Sequence, residues 1–220
     1  MPSYHLYISN RENIAKRMPK YCKIVFEYLD SGAHCAIIQL DKYLIVKLLT
    51  CFPKKGTECT MLQINHLTKT YASGQKAVDD LSITVNAGEI YGFIGHNGAG
   101  KTTTLRSVAG ILDFDGGEIY IDGHSINKEP VAAKSIMAFL PDNPDLYDFM
   151  SGIKYLNFIA DIYNIEKAER EARIKQYADI FALTGALGSP IGGYSHGMRQ
   201  KLALISAFIR KPKLLILDEI

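Results

Sequence analysis

The chain has 220 residues, 47% of them hydrophobic and 22% charged, which predicts one folded domain or one domain with an appendage. Its formal net charge of +2 argues against a dedicated nucleic-acid binder. Residues 1–60 carry nine Lys or Arg and five Asp or Glu, whereas residues 61–220 carry sixteen and eighteen. We expect the small basic excess of the first segment to be a solvated surface, with contact to RNA or anionic lipid as the alternative.

Residues 1–60 contain no motif that carries chemistry. All four cysteines lie there without the close pairs that zinc sites favour, so free thiols are expected and zinc binding is the weaker alternative. No apolar run is long enough to predict a membrane span, and no secretory signal is recognisable, which predicts a cytoplasmic protein. This segment is either an N-terminal extension of unknown role or a stretch ahead of a true start at Met61.

Elements with a clear hydrophobic pattern begin at Met61. Strands are predicted at 61–67, 81–85, 89–94 and 118–121, the last entering a hairpin at Asp122 and Gly123, and a turn is predicted at 115–117. A helix after residue 101 is expected to carry Leu105, Val108, Ala109 and Leu112 on one face. Three further helices have apolar stripes within 155–163, 174–181 and 198–209, and the run at 214–217 is a last buried strand.

The segment Gly-His-Asn-Gly-Ala-Gly-Lys-Thr at 95–102 fits the Gly-x-x-x-x-Gly-Lys-Ser/Thr pattern of a phosphate-binding loop. Glycines let the backbone wrap around phosphate oxygens, and the following helix adds its positive dipole end. Lys101 is predicted to reach the β- and γ-phosphates of a nucleotide, and the Thr102 hydroxyl to ligate Mg²⁺. A chance Gly-rich turn is the alternative, and the flanking strand and helix weigh against it. The predicted nucleotide-binding residues here are Gly95, His96, Asn97, Gly98, Ala99, Gly100, Lys101, Thr102 and Thr103.

Two carboxylates, Asp218 and Glu219, follow the last apolar strand. An acidic side chain at the end of a buried strand is costly unless it is paired with a cation, and Mg²⁺ would supply that partner. We expect Asp218 to hold the ion through water and Glu219 to act as general base on the attacking water. The start of an ordinary loop is the alternative.

Residues 61–220 resemble the ATP-binding cassette of ABC transporters. The loop at 95–102 is similar to the Walker A motif of that family, and residues 214–219 are similar to its Walker B motif. Between them, Tyr-Ser-His-Gly-Met-Arg-Gln at 194–200 resembles the family signature in the form seen in bacterial exporters. The resemblance implies that Ser195 and Gly197 meet the γ-phosphate of ATP held by a second cassette, whereas a plain helix N-cap is the alternative.

Two further roles are implied by the resemblance. Tyr71 is similar in place to the aromatic residue that stacks on adenine, against the alternative of ordinary packing. Residues 140–144 resemble the Q-loop, but Asp142 stands where the family has glutamine. An aspartate can approach Mg²⁺ through water, yet as a carboxylate it cannot donate a hydrogen bond.

The resemblance implies an α/β fold, a P-loop NTPase core with an antiparallel β subdomain near 61–94 and 117–127 and an α-helical subdomain near 145–210. It implies an incomplete cassette, truncated after Walker B, that binds ATP and Mg²⁺ as an ATPase. The implied partners are a second cassette and a polytopic membrane subunit on the inner face of the cell membrane, without nucleic acid. The alternatives are a truncated, non-catalytic remnant and a non-transport ATPase of the same family.

Overall fold

The computed structural model describes residues 60–87, 91–93 and 96–218 and the backbone of residues 36–38. The described chain forms two compact units, one built from residues up to Phe139 and from Pro212 onwards, the other from Leu140–Lys211. The cysteines, Gly95, Glu219 and residues 89, 90 and 94 of the strand predicted at 89–94 lie outside the described residues, whereas residues 91–93 are described and are not in a strand, although Tyr91 and Phe93 are buried. The division of the chain at residue 60 stays a prediction.

Four strands of the first unit form an antiparallel sheet in the order β3-β2-β4-β5. They are β2 (Thr60–Thr70), β3 (Lys76–Asn86), β4 (Gly116–Ile121) and β5 (His124–Ser125). In the centre of the sheet, Leu62 pairs with Val85 on one side and with Ile121 on the other. The period-two patterns therefore predicted real strands, although β2 and β3 are each 11 residues long and exceed their predicted bounds.

A second sheet has the order β1-β7-β6, with β1 (Ala36–Ile38), β6 (Met137–Leu140) and β7 (Leu214–Leu217). The bounds of β7 agree with the predicted strand, and all four of its side chains are buried. Strand β1 comes from the segment without recognisable motifs and pairs in parallel with β7, Ala36 opposite Leu215. Both edges of β7 are therefore paired.

The first unit also contains α1 (Lys101–Val108) and α2 (Pro130–Ser135). The prediction that Leu112 continues the apolar face of α1 is wrong, because the helix ends at Val108 with Ala109 as its C-cap. Gly110 follows with a positive φ of 62°, and its N–H donates to the Ser107 carbonyl at 3.0 Å. Glycine adopts this left-handed conformation without the steric cost that other residues carry, which stops the helix.

The prediction of a turn at 115–117 is also wrong in part, since Gly116 and Gly117 belong to β4. Gly117 has a φ of 95°, and a Cβ there would lie 2.4 Å from the Asn65 carbonyl oxygen. The β2–β4 register shifts between Asn65 and Thr68, so the glycines serve a bulge with close backbone approach. The hairpin predicted at Asp122 and Gly123 is confirmed by the β4–β5 pairing.

One apolar core unites both sheets and α1 in the first unit. Leu105 and Val108 from α1 belong to the same buried cluster as Leu214 and Ile216 from β7. The sheet β3-β2-β4-β5 contributes further buried residues, among them Met61, Leu62, Ile64, Leu67, Val78, Ile83, Val85, Ile119 and Ile121. This shared packing holds the start of α1 and the end of β7 in a defined relation.

The second unit contains α3 (Gly152–Ile162), α4 (Lys167–Ile180) and α5 (His196–Phe208), which confirms the three predicted helices. The apolar faces of α4 and α5 meet in an aromatic cluster in which Phe208 lies 5.7 Å from Tyr177 and 5.8 Å from Phe181, measured between ring centroids. Among the helices that the structure describes, none has the length and apolarity needed to cross a membrane.

Candidate functional site

The loop before α1 reverses direction through two glycines with positive φ, Gly98 at 85° and Gly100 at 82°. Within it, the Ala99 N–H donates to the His96 carbonyl at 3.1 Å. A Cβ on Gly100 would lie 2.1 Å from the Ala77 carbonyl oxygen of β3, whereas a Cβ on Gly98 would meet nothing within 4 Å. Gly100 is therefore required by the packing of the loop on β3, and Gly98 faces open space.

Lys101 is the first residue of α1, and its Nζ donates to the His96 carbonyl at 3.0 Å. The ammonium group is thereby held over the loop by a neutral acceptor. A phosphate oxygen is a stronger acceptor for this donor, because the attraction between opposite charges adds to the hydrogen bond. The lysine can therefore exchange the carbonyl for an anion without moving away from the loop.

The N-terminus of α1 has no side-chain cap and no acidic residue in its first turn. The backbone N–H groups at the start of a helix lack intrahelical partners, and the helix dipole places partial positive charge there. The Thr104 hydroxyl donates to the Gly100 carbonyl at 2.9 Å and fixes this turn against the loop. The loop and the helix start together form a cradle suited to an anion.

The structure brings Thr102 and Asp218 together, 116 positions apart in sequence. The Thr102 hydroxyl donates to Asp218 Oδ1 at 3.1 Å, and Asp218 is only 5% exposed at the end of β7. A hydroxyl and a carboxylate are oxygen ligands of the kind that Mg²⁺ prefers, so the donor set fits that ion. In the part of the chain that the structure describes, no three His, Cys, Asp or Glu cluster for a metal. Mg²⁺ in nucleotide sites characteristically takes its other ligands from phosphate and water.

A pocket of about 250 Å³ lies along this cradle. Its lining consists of Tyr71, Gln75, Ala77, Asn97, Gly98, Gly100, Lys101, Thr102 and Thr103. Six of these are loop or α1 residues that the sequence singled out, and Tyr71 is a seventh. Gln75 and Ala77 were missed, because their only signal is that they follow a short turn after Tyr71.

Tyr71 begins the turn between β2 and β3, and its side chain is 41% exposed. Its hydroxyl lies 3.1 Å from Thr103 Oγ1. The strand end before it is held by Asp115, whose carboxylate accepts from the Thr70 N–H at 2.6 Å and from Lys69 Nζ at 3.4 Å. These contacts hold the pKa of the Asp115 carboxyl below its ordinary value. The hydrogen bond from the Thr70 N–H contributes most, and the hydrogen bond and charge of Lys69 contribute less.

The family-signature residues lie in the second unit. Ser195 is the N-cap of α5, and its hydroxyl accepts from the Met198 N–H at 3.3 Å, which is the helix-capping role that the sequence left open. A Cβ on Gly197 would meet nothing within 4 Å. The predicted contact of both residues with a nucleotide on a second cassette stays a prediction.

The Q-loop-like segment lies in the same unit. Gln200 Nε2 donates to the Asp142 carbonyl at 3.4 Å, and Arg199 pairs with Asp148 at 2.7 Å. The segment around Asp142 is thus tied to the first turns of α5. The predicted approach of the Asp142 carboxylate to Mg²⁺ stays a prediction.

Comparison with known proteins identifies ATP-binding proteins of ABC transporters among the relatives of this chain. The family model described as "ABC transporter" matches residues 78–220. The uncharacterized ABC transporter ATP-binding protein YhcH of Bacillus subtilis is 39% identical over 160 residues, 73% of this chain and 51% of that protein. The bacitracin transport ATP-binding protein BcrA of Bacillus licheniformis is 36% identical over 160 residues, with the same coverage. The chain thus spans about half the length of these curated relatives.

Solved structures give the same fold. One described as the ATP-binding subunit of an ABC transporter matches with a TM-score of 0.63 and 28% identity, over 71% of this chain and 65% of that chain. A second, cbiO1 from Clostridium perfringens, described as part of the ABC transporter complex cbiONQ, matches over 72% of this chain and 65% of its own, with a TM-score of 0.58. Its 20% identity shows the fold alone. The α/β fold with P-loop core, antiparallel β subdomain and helical subdomain is confirmed.

Proposed function

The chain belongs to the ABC transporter family of ATP-binding proteins, and from this premise we propose that it binds and hydrolyses ATP to power transport through a separate membrane subunit. The observation that carries the proposal is the meeting of Thr102 and Asp218 beside the glycine loop. Residues 61–220 form the ATP-binding domain in this proposal, and residues 1–60 are an extension whose residues 36–38 pair with β7.

ATP binding falls to the loop and the start of α1. The backbone N–H groups between Gly98 and Thr103 surround the phosphates, and Lys101 transfers its hydrogen bond from the His96 carbonyl to a phosphate oxygen. Gly95, His96 and Asn97 complete the loop, and the Tyr71 ring takes the adenine. Because the cradle is already formed by packing on β3, little ordering of the loop is needed when ATP binds.

Thr102 and Asp218 hold the Mg²⁺ that accompanies the phosphates, directly or through water. When bound, this ion neutralises charge on the transferred phosphoryl group. Glu219, the residue after Asp218, orients and deprotonates the attacking water, and Asp142 approaches the ion through water. Hydrolysis depends mainly on positioning, so the rigid placement of Asp218 by the buried strand β7 is central to it.

The proposed assembly contains two cassettes and a polytopic membrane subunit at the inner face of the cell membrane. Ser195 and Gly197 open a helix whose N-terminus suits the γ-phosphate held by the second cassette. The relative BcrA is named for bacitracin transport, and cbiO1 is described as part of a transporter complex, which supports a transport assembly of this kind. The net charge of +2 supports the absence of a nucleic-acid partner.

The experiment compares Lys101→Ala with Lys128→Ala by titration with a fluorescent ATP analogue. Lys128 is an exposed lysine of the same unit that does not line the pocket, and its variant removes the same charge. We expect Lys101→Ala to lose most of the affinity and Lys128→Ala to bind like wild type. Equal affinity in wild type and Lys101→Ala would refute the site. ATP binding without steady-state phosphate release, in the presence of Mg²⁺, would instead favour a non-catalytic ATP-binding protein.

A further inference from the structure

One hydrogen bond joins the turn between β2 and β3 to the first turn of α1. The hydroxyl groups of Tyr71 and Thr103 lie 3.1 Å apart. Tyr71 is 41% exposed and Thr103 is 8% exposed. The bond therefore anchors the tip of an exposed aromatic side chain to a buried group on the helix that begins the phosphate cradle.

The backbone of Tyr71 is held as firmly as its hydroxyl. Its N–H donates to the Gln75 carbonyl at 2.9 Å, and its carbonyl accepts from the Gly74 N–H at 2.8 Å. Gly74 has a φ of 81°, a conformation that favours glycine and sets the turn. With the backbone fixed at one end and the hydroxyl at the other, the two side-chain torsions of Tyr71 are restricted to one orientation.

The ring held in this way lines the same pocket as the loop glycines and Lys101. Among the residues that the structure describes, Tyr71 makes no contact with another aromatic ring, so its faces are not occupied by stacking within the chain. Aromatic rings on a surface of this kind bind planar bases by stacking. A ring that is already oriented need not be ordered when the ligand arrives.

We propose that Thr103 is a positioning residue, whose hydroxyl holds the Tyr71 ring ready for the base of the nucleotide. The inference rests on the proposed function, because the base reaches this end of the pocket only if the loop holds the phosphates. Ordering one side chain on binding lowers affinity on the order of 2- to 12-fold, which is the loss expected when the bond is removed.

The test is a double-mutant cycle measured by calorimetric titration with Mg·ATP. Tyr71→Phe keeps the ring and removes its hydroxyl, and Thr103→Val keeps the branched shape and removes the partner hydroxyl. Each single variant should bind ATP about 2- to 12-fold more weakly, and the double variant should be no weaker than either, because all three lack the same bond. Thr103→Ser restores a hydroxyl and should bind ATP like wild type.

Inorganic tripolyphosphate is the second probe, because it occupies the loop without a base. Its affinity should be unchanged in Tyr71→Phe, and also in Thr103→Val, because the phosphate contact proposed for Thr103 is made by its backbone N–H, which valine retains. A weaker affinity for tripolyphosphate in Thr103→Val alone would show that Thr103 acts on phosphate, and additive or absent losses for ATP would show that the bond positions nothing; each result overturns the inference. If Thr103→Val fails to fold, Tyr71→Phe decides between these outcomes. Failure of the proposed function is distinct, since wild type would then bind neither ligand.

Discussion

Three glycines with nearly equal φ allow two destabilising effects of a loop substitution to be measured separately, namely backbone strain and steric overlap. Gly98, Gly100 and Gly123 have φ of 85°, 82° and 82°. A Cβ on Gly98 or Gly123 would meet nothing within 4 Å, whereas on Gly100 it would lie 2.1 Å from the Ala77 carbonyl oxygen. Gly123 lies in the β4–β5 hairpin and does not line the pocket, so it measures backbone strain alone.

Alanine in the left-handed region costs about 1–2 kcal/mol, which is the loss of stability expected for Gly123→Ala and Gly98→Ala. At Gly100 the new methyl group would lie 2.1 Å from a backbone oxygen, about 1 Å inside the 3.0 Å that Cβ atoms in proteins keep from such an atom. The atom belongs to β3 and cannot rotate away, so overpacking adds about 1–3 kcal/mol. We therefore expect Gly100→Ala to lose about 2–5 kcal/mol in total.

The assay is urea unfolding of wild type and the three variants, with ATP affinity measured on each folded variant. Gly98→Ala should resemble Gly123→Ala in stability but bind ATP more weakly, because the methyl group takes space in the pocket. Gly123→Ala should bind ATP like wild type. Equal loss of stability in Gly100→Ala and Gly123→Ala would refute the close approach of the loop to β3, and unchanged ATP affinity in Gly98→Ala would refute its place beside the ligand.

Three other substitutions test the surroundings of the site. Ile216→Ala removes a fully buried side chain of β7 and should lower the free energy of unfolding by about 2–5 kcal/mol in a denaturant titration; a loss below about 1 kcal/mol would contradict its place in the core. Ser195→Ala removes the N-cap of α5 and should cost about 0.5–2 kcal/mol in the same measurement, whereas Ser195→Asp should retain the cap. Asp115→Asn should lower the thermal midpoint at pH 7. Because the pKa of Asp115 is lowered in the fold from an ordinary 3.8, the carboxylate stabilises above that value and loses its effect as pH falls through the lowered pKa. The midpoints of wild type and Asp115→Asn should therefore converge in acid, and a constant difference would refute the role of the charge.

The parts of the site that could be predicted from the sequence alone are those formed by a continuous segment of the chain. The loop at 95–102 needs glycines, a lysine and a threonine at fixed spacing, and this requirement is visible without a structure. Strand β7 was predicted with its correct bounds because a short, continuous apolar run that ends at a carboxylate is typical of a buried strand. The meeting of Thr102 with Asp218 was expected from their chemistry, although the distance between them follows only from packing.

The errors have a different physical origin. Gly116 and Gly117 predict a turn by residue type, but a close approach of two strands also requires glycine, because a side chain would not fit between them. Leu112 has the spacing of the α1 face, but a positive φ at Gly110 ends the helix first. Strand β1 forms by pairing with β7, and Gln75 reaches the pocket because of the course of the turn after Tyr71. No local sequence pattern predicts either feature.

Thr102 and Asp218 are the two residues proposed to hold the Mg²⁺ of a bound ATP. The most direct measurement is the ratio of ATP affinities with Mg²⁺ and with a chelator, in wild type and in Thr102→Val. We expect wild type to bind ATP more tightly with Mg²⁺ than without it. In Thr102→Val we expect a ratio close to one, with the Mg²⁺-free affinity nearly unchanged. Equal ATP affinity in wild type with and without Mg²⁺ would show that these two residues do not hold the ion. An affinity ratio in Thr102→Val as large as that of wild type would show the same.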